Sequence, residues 1–177
     1  MEDRRNLKDE FKGLENEEVF SRLDNKRSGL EVAIENLTHD FNVGSIVRTA
    51  NNFNVALVHI IGRHKYNRRG AMCTDKYLRI KYWESAEEFV RDQRERGREI
   101  VAIENNTKFL KGGLMDKKFV RETTLVFGSE GEGISEKLLA LSDDVREIES
   151  FGSTRSVNVG AAAAIAMWAW ALKNRGN

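Results

Sequence analysis

The sequence contains no proline and only one cysteine among its 177 residues. Without proline, the chain has neither a cis-proline turn nor a proline that ends or kinks a helix. The single cysteine, Cys73, excludes an internal disulfide, and a zinc site built on it would need three other ligands. The histidines are scattered without the spacing of metal ligands, so we expect no metal site.

Net charge is also nearly absent, because 29 basic and 28 acidic residues leave a formal charge of +1. Total charge therefore does not identify a nucleic-acid-binding protein, and a local basic patch would have to do so. The N-terminus is charged, unlike a signal peptide, and the most apolar run, residues 157–172, is too short and too rich in alanine for a membrane span. We expect a cytoplasmic protein without a membrane partner.

The first 28 residues are dense in charge, with weak helical spacing of their apolar side chains. We divide the chain into a charged N-terminal extension over residues 1–28, predicted to be helical, and one domain over residues 29–177. The extension would pack against the domain or a partner, with a solvated segment as the alternative.

The domain alternates apolar strands with helical patterns. Six strands are predicted, at residues 30–37, 55–61, 78–83, 99–104, 123–127 and 145–148. Helices are predicted at residues 44–53, 85–97 and 135–141, and a last apolar helix follows Ser156, its expected N-cap. This alternation is typical of an α/β fold, with a mostly parallel sheet and helices on both faces. Ligands of such sheets bind outside the carboxyl ends of the strands, so the loops there are the candidate sites.

The loop and helix over residues 42–53 form the first candidate. Asn42 is the expected helix cap, and Gly44 would let the backbone come close to a ligand. Arg48 lies off the apolar seam of the helix. It is either an ordinary solvated arginine or a contact to a phosphate or a transition state.

Residues 127–135 form the second candidate, where three glycines follow an apolar strand in the order G-x-x-G-x-G. This pattern indicates either special backbone angles near a ligand or a tight strand-to-helix turn. The loop lacks the lysine of a phosphate-binding loop, and Glu130 and Glu132 would repel a phosphate. A ligand with positive character therefore fits better.

The third candidate is the polar loop over residues 151–158, which leads into the last helix. The run of small residues at Gly160–Ala164 would allow another backbone or helix to pack closely. One face of this helix has the spacing of a core face, and it consists of Val157, Ala161, Ala164, Ile165, Trp168 and Leu172.

These three stretches resemble the SpoU-type ribose 2′-O-methyltransferases of the SPOUT (α/β-knot) superfamily. The shared motifs are N-x-G-x-x-x-R at residues 42–48, a strand plus GSEGEG at residues 125–133, and S-x-N-V at residues 156–159. The resemblance runs from about residue 30 to residue 172. It implies a deep C-terminal trefoil knot, S-adenosylmethionine as cofactor, a homodimer, and tRNA or rRNA as substrate.

The resemblance also assigns roles to individual residues. The catalytic positions are Arg48, Asn42, Glu130, Ser156 and Asn158. The cofactor contacts, made mainly by backbone and apolar groups, fall on Ile103, Glu104, Gly128, Ile148, Ser156 and Val157. Arg48 would either act as the base, helped by an RNA phosphate, or orient the ribose hydroxyl and stabilise the alkoxide. Glu149 replaces the family's usual proline, which should alter loop stiffness more than chemistry.

A basic loop over residues 62–70 is the candidate RNA-binding patch, with a solvated loop as the alternative. Bases would stack on its tyrosine while its cations contact phosphates, and the residues concerned are Arg63, Lys65, Tyr66, Arg68 and Arg69. No separate RNA-binding domain is evident, which favours tRNA. A non-catalytic RNA-binding or ribosome-assembly protein, and an unrelated small-molecule site on an open α/β sheet, remain alternatives to the enzyme.

Overall fold

A computed structural model describes residues 3–35, 40–62, 68–105, 107–129 and 131–174. Six strands form one sheet: β1 (Glu31–Glu35), β2 (Leu57–Ile61), β3 (Ile80–Trp83), β4 (Glu99–Ile103), β5 (Thr123–Phe127) and β6 (Asp144–Arg146). Their order is β3-β2-β1-β5-β4-β6, and every pairing is parallel. The predicted parallel sheet is thus confirmed.

In the described residues the α-helices are α1 (Asn16–Asp24), α2 (Asp40–Asn52), α3 (Ala86–Glu95), α4 (Glu136–Leu141) and α5 (Val159–Asn174). The second of these begins four residues before its predicted start at residue 44, and the others lie where the sequence patterns place them. Short 3-10 helices occupy Asp9–Phe11, Arg68–Ala71 and Thr74–Tyr77. The Ser85 hydroxyl caps α3 by accepting the Glu88 amide N–H at 3.3 Å. An N-cap of this kind satisfies an amide that has no partner inside the helix.

Two apolar cores cover the two faces of the sheet. Alternate side chains of β1 point to opposite faces, so Val32 packs in the core with α2 and α5, and Ala33 in the core with α3 and α4. Strands buried on both faces need apolar side chains at nearly every position, and all five residues of β5 are buried. The predicted helices on both faces are therefore confirmed.

The connection from β4 to β5 passes along the outer side of β6. The Lys111 N–H donates to Val145 O at 2.9 Å, and the Leu114 N–H donates to Glu147 O at 2.7 Å. Glu149, where the family usually has proline, lies against this connection, because a Cβ at Gly113 would overlap its carboxylate. These contacts suit a C-terminal segment threaded through a loop, but the trefoil knot itself stays a prediction.

The described part of the N-terminal extension packs on the domain through a small apolar cluster. Phe11 and Val19 are buried against Tyr77. Arg27 adds a hydrogen bond of 2.6 Å from its Nη2 to the Tyr77 carbonyl. A helix, α1, is present in this extension, while the division of the chain at residue 28 stays a prediction.

The predicted core face of α5 is wrong. The buried side chains are Ala163, Ala166, Met167 and Trp170. Ile165, Trp168 and Leu172, expected in the core, are 42%, 51% and 52% exposed. Because α5 is apolar all round, helical spacing alone cannot indicate which side meets the sheet.

A cluster of polar and charged side chains lies beneath α3, in which Glu31 is buried and Arg96 is partly exposed. The Glu31 carboxylate, 1% exposed, accepts hydrogen bonds from His59 Nε2 at 2.8 Å and from Arg96, and Arg98 Nε lies at 3.2 Å. The Trp83 indole N–H donates to His59 Nδ1 at 2.9 Å. An indole nitrogen can only donate, so Nδ1 must be the acceptor, and His59 is neutral with its proton on Nε2.

Candidate active site

Asn158 caps α5, so our assignment of Ser156 to that position is wrong. The Asn158 Oδ1 accepts the Gly160 N–H at 2.9 Å and the Ala161 N–H at 3.4 Å. Ser156 lies two residues before the cap, in an exposed stretch. The motif S-x-N offers two residues that both cap helices well, and the pattern could not decide between them.

Asn42 and Asn158 join the first motif to the third. The Asn158 Nδ2 donates to Asn42 Oδ1 at 3.1 Å. Asn42 is only 8% exposed and lies inside α2, which begins at Asp40, so the predicted cap at Asn42 is also wrong. A buried side-chain amide requires partners, and this one connects the helix that carries Arg48 to the start of α5.

Gly44 permits close packing between backbones. A Cβ at this position would overlap the backbone of Gly70 and Ala71, in the short helix that crosses α2. We expected Gly44 to admit a ligand, and the structure shows that it admits this helix instead. The packing places the backbone of residues 68–71 next to α2.

Arg48 lies on the exposed side of α2. Within the described ranges, its side chain forms no hydrogen bond or salt bridge. An exposed guanidinium without a protein partner has all five N–H donors available for an anion or a hydroxyl. Its catalytic role stays a prediction.

A cavity of about 430 Å³ opens at the carboxyl ends of β4, β5 and β6. Its walls come from the loops after these strands, from the start of α4 and from the approach to α5. All six residues predicted to contact the cofactor line it: Ile103, Glu104, Gly128, Ile148, Ser156 and Val157. The structure thus brings them to one site, while their contact with a cofactor stays a prediction.

The glycine-rich loop forms one wall of the cavity and is also a tight turn. Ser129 and Gly133 exchange backbone hydrogen bonds of 3.2 and 2.9 Å. A Cβ at Gly128 would overlap the backbone of Gly133, which itself has φ +68°. Both sequence interpretations of this loop therefore hold, because its glycines serve the turn and the turn lines the cavity.

Two carboxylates hold the end of this loop. Glu104 accepts the backbone N–H of Asn105 at 2.9 Å and that of Ile134 at 2.8 Å. Glu35 accepts the N–H of Ser135 at 2.8 Å and its hydroxyl at 2.7 Å. Our sequence reasoning missed Glu35, although both glutamates end the same tetrapeptide, VAIE, which provides the signal.

Several predicted site residues lie outside the described ranges, or are described only in their backbone. They are Glu130, Arg63, Lys65, Tyr66, Arg68 and Arg69. In the part of the chain that is described, no group of three or more His, Cys, Asp or Glu side chains is arranged to hold a metal ion. In the same part, no helix is long and apolar enough to cross a membrane.

The cavity suits S-adenosylmethionine, the cofactor implied by the motifs. Its volume falls within the range of about 300–1,000 Å³ usual for small-molecule sites. Ile103, Phe127, Ile148 and Val157 provide apolar walls, and the Glu104 carboxylate provides negative charge. The apolar walls suit the adenosine of this cofactor, and the polar groups of the surrounding loops suit its polar part.

Solved structures with the same fold define the class of protein. The Aquifex aeolicus TrmH/SpoU tRNA-modifying enzyme superposes with a TM-score of 0.77 at 23% identity, over 89% of this chain and 83% of that one. The SpoU methyltransferase AviRb from Streptomyces viridochromogenes, in complex with AdoMet, superposes with a TM-score of 0.74 at 22% identity, over 85% of this chain and 60% of that one. The fold is that of the SPOUT methyltransferases.

The chain belongs to the SpoU rRNA Methylase family, whose model matches residues 29–168. It is therefore an RNA methyltransferase, as the three motifs predict. A curated relative is the tRNA (guanosine(18)-2′-O)-methyltransferase of Thermus thermophilus, which is 26% identical over 162 residues, 86% of this chain and 77% of the relative. The Escherichia coli enzyme of the same name is 26% identical over 153 residues, 85% of this chain and 66% of the relative.

Proposed function

We propose that the protein transfers a methyl group from S-adenosylmethionine to a ribose 2′-hydroxyl of tRNA. The observation that carries this proposal is the meeting of the family's motifs around one region of the sheet. The Asn42–Asn158 hydrogen bond joins two of them, and the cavity is lined by the second and third.

The chemistry needs a donor site and a group that handles the ribose hydroxyl. S-adenosylmethionine supplies an electrophilic methyl group bound to a sulfonium. A hydroxyl attacks such a methyl only as it loses its proton. The exposed Arg48 guanidinium would orient the ribose oxygen and stabilise the developing alkoxide, or would assist deprotonation together with an RNA phosphate. Because guanidinium groups are protonated at neutral pH, we favour the first role, in which an RNA phosphate or water would accept the ribose proton and S-adenosylhomocysteine would be the leaving group.

Two observations support tRNA over rRNA as the substrate. The curated relatives are named as tRNA 2′-O-methyltransferases. A solved structure described as methylating the 2′-OH of C/U34 on tRNA matches with a TM-score of 0.75, over 84% of this chain and 97% of that chain. The basic loop over residues 62–70, whose last residue packs against α2, would contribute phosphate contacts and a stacking tyrosine.

The proposal is tested with purified protein and methyl-labelled S-adenosylmethionine. Bulk tRNA and ribosomal RNA are offered separately, digested to nucleosides and analysed by mass spectrometry. We expect a labelled 2′-O-methylnucleoside from tRNA. Label in a base would contradict the reaction, and label in rRNA alone would contradict the substrate. Cofactor binding without transfer to any RNA would favour a non-catalytic RNA-binding protein.

We also propose that the protein is a homodimer through the exposed apolar face of α5. Ile165, Trp168 and Leu172 form a stripe along this helix, and the Trp168 ring lies edge-on to Phe53 of the neighbouring segment at 6.3 Å. Apolar stripes of this size are usual at interfaces and unusual on free surfaces. Light scattering should show a dimer that Trp168→Glu converts to a monomer, while Lys173→Glu on the same helix leaves it intact.

A further inference from the structure

The tetrapeptide VAIE occurs twice, at residues 32–35 and 101–104, and the two copies end on opposite sides of β5. Ile34 of β1 pairs with Phe127, and Ala102 of β4 pairs with Val126. Glu35 lies one residue beyond Ile34, and Glu104 lies two residues beyond Ala102, so both reach the level of Gly128, where the glycine-rich loop begins. Two carboxylates therefore flank the point where the chain leaves the sheet.

The two carboxylates bind consecutive backbone amides. Glu104 Oε2 accepts the Ile134 N–H, and Glu35 Oε2 accepts the Ser135 N–H, both at 2.8 Å. Hydrogen bonds to a charged acceptor are shorter and stronger than those between neutral groups. The end of the glycine-rich loop is thus fixed from both neighbouring strands.

Only one of these carboxylates lines the cavity. The second oxygen of Glu104, Oε1, accepts the Asn105 N–H at the start of the loop after β4. A Cβ at Gly133 would overlap the Glu104 carboxylate, so the glycine-rich loop packs directly on it. One side chain therefore connects two walls of the cavity, whereas Glu35 fastens the loop at the N-terminus of α4.

We propose that Glu104 is a positioning residue for S-adenosylmethionine, whose carboxylate sets the separation of the two loops that enclose the cofactor. This inference rests on the proposed function. A carboxylate offers acceptors to both amides, whereas a glutamine offers one acceptor and one donor group. Glu104→Gln must leave one of the two amides without its partner, and the loop should lose its fixed geometry.

The test compares the binding of S-adenosylmethionine and S-adenosylhomocysteine by calorimetry. The second ligand lacks the positive charge on sulfur but occupies the same loops. Glu104→Gln should lower the affinity for both ligands by the same factor, about tenfold. Hydrogen exchange at the Ile134 amide should also become faster in this variant.

Glu35→Gln is the matched control, because it removes the same kind of hydrogen bond from the next amide, away from the cavity. We expect it to lower the thermal midpoint as much as Glu104→Gln does, while cofactor affinity changes by about twofold or less. Glu104→Asp provides a second variant that keeps the charge on a shorter side chain. Glu104→Asp should also lower the affinity for both ligands.

Several results would overturn the inference. Loss of affinity for S-adenosylmethionine alone would mean that Glu104 acts as a charge partner of the sulfonium. Unchanged affinity in Glu104→Gln, full affinity in Glu104→Asp, or equal losses in Glu104→Gln and Glu35→Gln would also contradict positioning. Failure of the unmodified protein to bind S-adenosylmethionine would instead refute the proposed function, so the two failures are distinguishable.

Discussion

Carboxylates occupy two contrasting regions of this molecule. Beneath α3, Glu31 is buried among His59, Arg96 and Arg98, and each of these groups is paired inside the cluster. At the carboxyl ends of the strands, Glu35 and Glu104 bind backbone amides beside an open cavity. The first arrangement satisfies buried charges with one another, and the second uses charge to shape a loop that borders solvent. Changes in the two regions should therefore affect different properties.

The largest effect is expected from Glu31→Gln. Removing the charge leaves the buried Arg98 and the partly exposed Arg96 beside a neutral side chain at a position that is 1% exposed. Breaking a buried charged cluster in this way should lower the free energy of unfolding by about 3 kcal/mol. Chemical denaturation measures the loss, and cofactor affinity of the folded fraction should stay unchanged.

Glu122→Gln is the control for this change. Glu122 is more than half exposed and lies 4.0 Å from Arg121. Exposed ion pairs contribute little to stability, so Glu122→Gln should lower the free energy of unfolding by no more than about 0.5 kcal/mol. Similar losses in the two variants would contradict the view that burial makes the cluster beneath α3 important for stability.

Arg48→Ala tests the other region, where function rather than stability should change. The side chain is exposed and forms no hydrogen bond or salt bridge in the described ranges, so the fold should be unaffected. Loss of a group that stabilises the transition state should lower kcat by about 100- to 1,000-fold. Steady-state transfer to tRNA, with cofactor binding measured in parallel, checks this prediction. Undiminished transfer would exclude Arg48 from the reaction.

The sheet and part of the candidate site could be predicted from the sequence. Strand and helix periodicity predicted the parallel sheet and its two covered faces, because β-branched runs and capping residues act locally. The six cofactor residues were predicted from the family resemblance, as positions that follow the last three strands and precede the last helix, and they line one cavity. These residues meet because of the order of the strands in the sheet, and the spacing of apolar residues does not predict that order.

Other features could not be predicted, because they depend on packing between elements that lie far apart in the sequence. The apolar surface of α5 surrounds the helix, and only packing against α2 and the sheet selects the buried side. Gly44 has the same sequence environment whether it faces a ligand or the backbone of Gly70. The charged cluster beneath α3 was not predicted, because Glu31 and Arg96 meet only after α3 packs on the sheet.

Asn158→Asp separates the two contacts of the α5 cap. Aspartate keeps the acceptor for the Gly160 and Ala161 amides but cannot donate to Asn42. The variant should retain its thermal midpoint and lose about tenfold in kcat. Asn158→Ala should also lose about 1 kcal/mol of stability, because the cap is removed. Equal stability of the two variants would contradict the capping role.

The smallest effect is a dependence of stability on pH. Burial lowers the pKa of His59 below its ordinary value of 6.5, despite the opposing effect of the Glu31 carboxylate. As pH falls below about 6.5, the unfolded chain takes up a proton that the folded chain does not, so stability declines. Burial raises the pKa of Glu31, but hydrogen bonds from His59 and Arg96 lower it more, which extends the decline below pH 4.5.

Denaturation at pH 7.5 and pH 5.5 measures this dependence. The unmodified protein should lose about 1 kcal/mol between the two values. His59→Gln should have a lower free energy of unfolding than the unmodified protein at both pH values, and the difference between its two values should be smaller. An equally steep decline in His59→Gln would assign the titration to other groups.

The most direct test of the central claim is a map of ribose 2′-O-methylation in total RNA from cells with and without this protein. We expect a defined tRNA methylation to disappear when the protein is absent and to return with the unmodified protein but not with Arg48→Ala. An unchanged map, or full restoration by Arg48→Ala, would contradict the assignment of this cavity and this arginine to ribose methylation.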